Sequence, residues 1–198
     1  MRARLRKYPG DFIALANLGA VLQSSGRVED AIATLGAAVG ARPDHAAVRN
    51  NLGAALLAAG RTDEAIEEFT RTLRIDPNYL DAAYNLGTAL TTRNRAGEAL
   101  PHLERVARAR PADAQALATL GSALALAGRF EASRTTLLRA LQLAPDDART
   151  HFNLGLLEAR RGNRDGAIRH FDSALRLDPS NAETAAALRE ARASLPSR

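Results

Sequence analysis

The chain contains no cysteine and no tryptophan, a single methionine and a single lysine, Lys7. Without cysteine there is no disulfide framework and no thiolate metal site. That absence is neutral about redox compartment, because a helical array does not need covalent staples in either setting. Aromatic residues make up only 4% of the chain, so its core must come from close approach of small and aliphatic side chains. No apolar run reaches the length of a membrane span, and the basic stretch from Met1 to Tyr8 lacks the apolar segment of a secretory signal. No membrane insertion is expected and the cytoplasm is the default compartment, although a chain whose signal had been removed, or an excised fragment, would read the same.

What is present is ordinary for a folded protein: 46% hydrophobic and 25% charged residues over 198 positions. The net charge of +5 is spread along the chain, with denser spots at Arg2–Lys7, Arg105–Arg110 and Arg160–Arg169. These read as solvated helix faces with a mild preference for acidic partners.

The organisation is set by a strict period. Pro9, Pro43, Pro77, Pro111, Pro145 and Pro179 fall 34 residues apart, and the Leu-Gly pairs ending at Gly19, Gly53, Gly87, Gly121 and Gly155 keep the same beat. A fixed repeat of this length means stacked supersecondary units whose apolar faces are buried only by their neighbours. Five full units follow, 12–45, 46–79, 80–113, 114–147 and 148–181, each a helix, a turn, a second helix and an exit turn. Residues 1–11 align with the end of a preceding repeat, Leu5 and Pro9 falling in phase. Residues 182–198 read as a capping helix followed by a frayed tail.

The punctuation has a mechanism. Gly26, Gly60, Gly128 and Gly162 suit a left-handed residue closing the first helix, with Asn94 in the same slot. Arg27, Arg61, Arg95 and Arg129 follow, near the negative end of that helix, and acidic residues open the second. Asp44, Asn78, Asp146 and Ser180 are candidate N-caps, Ser180 forming a capping box with Glu183. Pro101 is placed near the start of a second helix, where a missing N–H is tolerated. Ser133, Arg134 and Glu158 occupy slots that are apolar elsewhere and are expected to be local soft spots.

These residues resemble the tetratricopeptide repeat family, with its period and its L-G … A-x-x-x-F … P signature, across 12–181. The large residue near the start of each first helix is kept at Leu15 and Leu117 but not at Arg49, Ala83 or His151. The resemblance implies an all-α, right-handed superhelical α-solenoid of helix–turn–helix hairpins, with first helices lining a concave groove.

Carried onto this chain, it places Asn17, Asn51, Asn85, Thr119 and Asn153 on one line in that groove. An amide donates and accepts, so such a ladder can hold an extended peptide backbone; the helical arm of the O-linked N-acetylglucosamine transferases resembles this. Asn50, Tyr84 and Phe152 lie one residue earlier, Asp81 and Arg149 one turn earlier, and Tyr84 and Phe152 are candidate anchors. Alanine at Asn51 and Asn85 together is expected to weaken peptide binding with little change in melting. The lysines and asparagines of a carboxylate clamp are missing, so capture of an EEVD-like tail is not expected.

Enzyme chemistry has no foothold. His45, His102, His151 and His170 are spread along the chain, the last two in one unit but on different helices, and no pair has metal-ligand spacing on a helix, His102 and His170 facing the convex side. Glu67 and Glu68 read as charged surface. No phosphate loop, metal or other cofactor is expected. The leading interpretation is a non-catalytic scaffold that binds an extended peptide or a helix of a partner protein in its concave groove. A recognition arm of a larger glycosyltransferase-like enzyme, and self-association through end repeats, stay open. Nucleic-acid binding is disfavoured by the modest charge and the unbroken 34-residue beat.

Overall fold

The computed structural model describes residues 11–193, all of whose regular elements are α-helices. They are α1 (Phe12–Ser24), α2 (Val28–Ala41), α3 (Ala46–Ala58), α4 (Thr62–Ile75), α5 (Leu80–Thr92), α6 (Ala96–Ala109), α7 (Ala114–Leu126), α8 (Phe130–Leu143), α9 (Ala148–Arg160), α10 (Arg164–Leu177) and α11 (Ala182–Ala193). The readings made for residues 1–10 and for the tail from Ser194 lie outside the described residues. The chain divides into two compact units, one up to Arg105 and one from Val106, with the division inside α6.

Each hairpin closes through the same contact. A Cβ placed on Gly53 would sit 2.6 Å from the Phe69 ring, and one on Gly87 2.5 Å from Leu103 Cγ; Gly19 with Leu35, Gly121 with Leu137 and Gly155 with Phe171 repeat the arrangement. The period-defining glycine is therefore a space requirement: its missing side chain is the socket for a fully buried residue of the second helix.

The turns follow the same logic. Gly26, Gly60, Gly128 and Gly162 have φ of 75–76°, and Asn94 takes the slot at 58°. The arginine that follows acts differently from expectation. It grips the carboxylate three residues on, at the start of the second helix: Arg61 Nε and Nη2 donate to Glu64 at 2.7 and 2.6 Å, Arg95 pairs with Glu98 at 2.8 Å, and Arg27 pairs with Asp30. These hydrogen bonds hold Glu64 and Glu98 below the usual carboxylate range.

The N-caps fall one residue later than the sequence suggested. Val48 N–H donates to His45 Nδ1, Thr150 N–H to Asp147 and Thr184 N–H to Asn181, while Tyr79 occupies the cap of α5 without a side-chain bond. Asp44, Asn78, Asp146 and Ser180 belong to the two-residue exit turn instead. That turn is held where an acidic residue precedes proline: Asp76 accepts from Asn78 N–H and Asp178 from Ser180 N–H. Pro101 lies at the sixth residue of α6, deeper than expected, and the helix continues through it.

The slots marked as soft spots each find a hydrogen-bond partner. Ser133 is buried and its hydroxyl donates to Gly121 O at 2.7 Å. Arg134 Nε donates to Glu158 Oε1 at 2.8 Å, and Asn163 Nδ2 donates to Glu158 Oε2 at 2.7 Å. Glu158 is only 2% exposed. Burial alone would raise its pKa, but the hydrogen bonds from Arg134 and Asn163 and the charge of Arg161 carry it below the ordinary carboxylate value. Glu68 is likewise buried, not surface: Arg49 Nη1 donates to it at 2.7 Å and Arg71 pairs with its other oxygen.

Candidate interaction surface

In the unit ending at Arg105, the first helices of the hairpins present Asn17 on α1, Asn51 on α3 and Asn85 on α5. Asn17 is exposed and Asn51 half-buried, and neither side chain hydrogen-bonds to a described residue. Asn85 is different: its Nδ2 donates to Asn50 Oδ1 at 3.1 Å, and Asn50 is buried. The amide of one hairpin thus ties to that of the preceding one, so the Asn85 side chain has a structural task besides any contact with a ligand. Beside it, Tyr84 is half-buried, and Asp81 is exposed in the first turn of α5. Tyr79, which sequence reasoning passed over, lies at the cap of the same helix; partial burial and the charges of Asp81 and Asp76 raise its phenol above the usual value.

In the unit beginning at Val106, α7 and α9 flank an open cavity of about 280 Å³ lined by Gln115, Ala118, Thr119, Ala144, Asp147 and Arg149. Thr119 is buried and donates its hydroxyl to Gln115 O at 2.9 Å, so it shapes the wall without offering its own proton. Asp147 is committed to capping α9 through Thr150. Arg149 is exposed and hydrogen-bonds to no described residue, leaving its guanidinium as the cavity's uncommitted charge. Asn153, on the next turn of α9, donates to Ser122 Oγ at 2.8 Å, the counterpart of the Asn85–Asn50 tie. Phe152 is half-buried, its ring 5.9 Å from that of Phe171 in a cluster with Ala167 and Leu188. It belongs largely to the packing under α11.

Gln115 and Ser122 were missed because they matter only through a residue on another helix. The only sequence signal was their phase, one turn before and one turn after Thr119 of α7. A second cavity, about 400 Å³, lies among α9, α10 and α11, with Leu156, Arg160, Phe171 and Glu190 on its walls. Arg164 borders it and donates to the carbonyls of Ala191 and Arg192, holding the last turn of α11.

The histidines do not stay apart as their positions along the chain suggest. His151 on α9 and His170 on α10 face one another with Nδ1 atoms 3.2 Å apart, and His151 Nε2 lies 3.1 Å from Pro145 O. Among the described residues no group of three or more histidines, cysteines or carboxylates is placed to hold a metal. Nor is any described helix long and apolar enough to cross a membrane.

A sequence model of the tetratricopeptide repeat matches residues 17–79, 84–148 and 127–182. The chain belongs to the tetratricopeptide repeat family. Solved structures agree on the fold. The crystal structure of YrrB, described as a tetratricopeptide repeat protein with an unusual peptide-binding site, superposes with a TM-score of 0.78 at 24% identity, covering 95% of this chain and 97% of that one. MamA from Desulfovibrio magneticus RS-1, in a form starting at its residue 41, gives 0.77 at 28% identity over 87% and 98% of the two chains. MamA MSR-1 gives 0.74 at 26% over 85% and 97%. Among curated protein sequences none matches this chain. Membership in the tetratricopeptide repeat family accounts for the all-α architecture and for the glycine sockets, and fits a protein-interaction scaffold.

Proposed function

We propose that the chain is a non-catalytic scaffold that holds an extended segment of a partner protein along the face of its first helices, with a preference for acidic segments. The observation that carries this is the α7/α9 cavity, where the uncommitted Arg149 stands beside Gln115 over an alanine-lined floor. A guanidinium with no internal partner is not lost to the fold when it takes a carboxylate, and a planar fork suits that group. The free amides of Asn17 and Asn51 supply backbone hydrogen bonds in the other unit. Tyr84, Asp81 and Phe152 border the bound segment, and Asn85 and Asn153 contribute from positions already tied to Asn50 and Ser122. Asn50 and Thr119, being buried, set the surface from beneath.

The geometry alters the choice of variants. Removing Asn85 would strip a buried acceptor, Asn50 Oδ1, of its donor, so Asn85→Ala should lower melting as well as binding. The clean test uses Asn51→Ala and Arg149→Glu, measured by fluorescence anisotropy against a library of labelled peptides of graded acidity. Acidic peptides should bind the wild type best and lose about tenfold or more with Arg149→Glu, a loss of ~1.4 kcal/mol or more, while far-UV circular dichroism stays unchanged. Equal binding by wild type and Arg149→Glu would remove the cavity from the account. Self-association is favoured by a separate observation, Ile13 and Val21 standing 59% and 55% exposed on α1. Concentration-dependent light scattering that vanishes with Ile13→Lys and Val21→Lys would support it.

A further inference from the structure

The His151–His170 contact has a counterpart three repeats earlier that shows what the slot is built to do. There Arg49 Nε donates to Pro43 O at 2.6 Å while Arg49 Nη1 donates to Glu68 at 2.7 Å. His151 reproduces the first half of that pattern: its Nε2 lies 3.1 Å from Pro145 O, which can only accept, so the Nε2 carries the proton. The Nδ1 of a neutral His151 is then a lone pair, aimed across the hairpin. Where the earlier hairpin meets it with a carboxylate, this one meets it with a second imidazole nitrogen, 3.2 Å away. Two such nitrogens cannot approach with lone pairs facing unless something positive stands between them, either a single proton or a cation.

We propose that His151 and His170 form a two-imidazole site for a borderline divalent transition-metal ion of the Zn²⁺, Ni²⁺ or Cu²⁺ class, bridging α9 and α10. Three features fit. At metal–nitrogen distances near 2.0–2.1 Å, two ligands of a tetrahedral ion stand about 3.4 Å apart, so the observed separation needs to open by only a few tenths of an ångström. The His151 Nε2–H bond to a backbone carbonyl is the outer-shell arrangement that fixes the tautomer and ring plane of metal-ligating histidines. Imidazole nitrogens select ions of this class over Ca²⁺ and Mg²⁺, which want oxygen.

The surroundings keep the pair available. Burial, followed by the charges of His151, Arg169 and Arg134, holds His170 below its ordinary pKa against the opposing Glu158. Glu158 itself is occupied by Arg134, Arg161 and Asn163 and does not compete for the imidazoles. Coordination requires His170 to move its one ring proton from Nδ1 to Nε2; no net proton is released from the neutral pair, and water fills the remaining positions of the ion.

The test is calorimetric titration of the full, tag-free chain with ZnCl₂ and with NiCl₂ in chelator-free buffer at neutral pH. One ion per chain is expected, with affinity falling at least about tenfold in His151→Gln and in His170→Gln and unchanged in His45→Gln and His102→Gln. Because a substitution at the hairpin contact could disturb folding, a second readout uses the wild type alone. Substoichiometric CuCl₂ should broaden the ring resonances of His151 and His170 before those of His45 and His102. No binding heat with the wild type, undiminished binding by His170→Gln, or equal broadening of all four histidines would each overturn the site.

Discussion

The hairpins α3/α4 and α9/α10 share a backbone plan and differ in the pair that joins their helices. In the first, Arg49 reaches Glu68, a complementary ion pair with side chains 13% and 9% exposed. In the second, His151 reaches His170, two imidazole nitrogens 3.2 Å apart. The large apolar residue of the family pattern is absent from both, and the same proline carbonyl steadies both replacements. The neighbouring slot makes the same point. Ile66 and Leu90 line one cavity in the first unit beside Leu73 and Leu86, whereas the equivalent positions in the second are Arg134 and Glu158, hydrogen-bonded at 2.8 Å. A repeat tolerates a polar residue at an apolar position when a second exchange, outside the same helix, completes it.

That comparison can be broken at its most buried member. Glu158→Ala would leave Asn163, Arg134 and Arg161 without their shared acceptor. A loss of about 2–3 kcal/mol is expected, discounted from a fully buried pair because the Arg134 side chain is 44% exposed. Converting both positions to the apolar form, Arg134→Ile with Glu158→Leu, should recover that loss and equal or exceed wild-type stability by up to ~2 kcal/mol. Urea unfolding of the two single variants and the double decides it; additive losses would mean the pair is not a unit.

Arg49→Met tests the other hairpin. Glu68 keeps Arg71, so the cost should be smaller, about 1–2 kcal/mol, read from the midpoint of thermal unfolding. Acid sharpens the contrast between the units. Glu158 is held below its ordinary pKa, so the unfolded chain takes up its proton first. The stability contributed by this carboxylate is complete above the unfolded value, near pH 4.3, and is lost as pH falls through the lower folded value. The Ile/Leu double variant should lack this part of the acid transition. The smallest effect is expected at Asn94, which holds the left-handed slot that glycine fills in the other hairpins. Asn94→Gly should gain a few tenths of a kcal/mol and Asn94→Ala should lose ~1 kcal/mol.

The helices, their turns and the sockets under Gly53 and Gly155 were legible because each depends on spacing along one hairpin. The N-caps were displaced by one residue because the residue after each proline belongs to the exit turn, and this holds after Arg42 and Ala144 as well as after Asp76 and Asp178, whose carboxylates accept within the turn. The arginines after the turns do follow the end of the first helix, their backbone N–H groups donating to its carbonyls, but the partners of their side chains were not legible. A dipole attracts any cation within a turn, but a carboxylate at the third position offers two directed hydrogen bonds. The candidate surface was legible as a phase. Which of its amides are free was not, since Asn85 and Asn153 are spent on residues more than thirty positions away.

The sequence by itself determined the period and the all-helical architecture, because local propensity, glycine space and proline stops act over a few residues and repeat without interruption. Only the tertiary structure decided which polar side chains are paired. Hydrogen bonds and ion pairs are short-ranged and directional, and the residues that complete Glu68, Glu158, Asn50 and His151 stand on other helices.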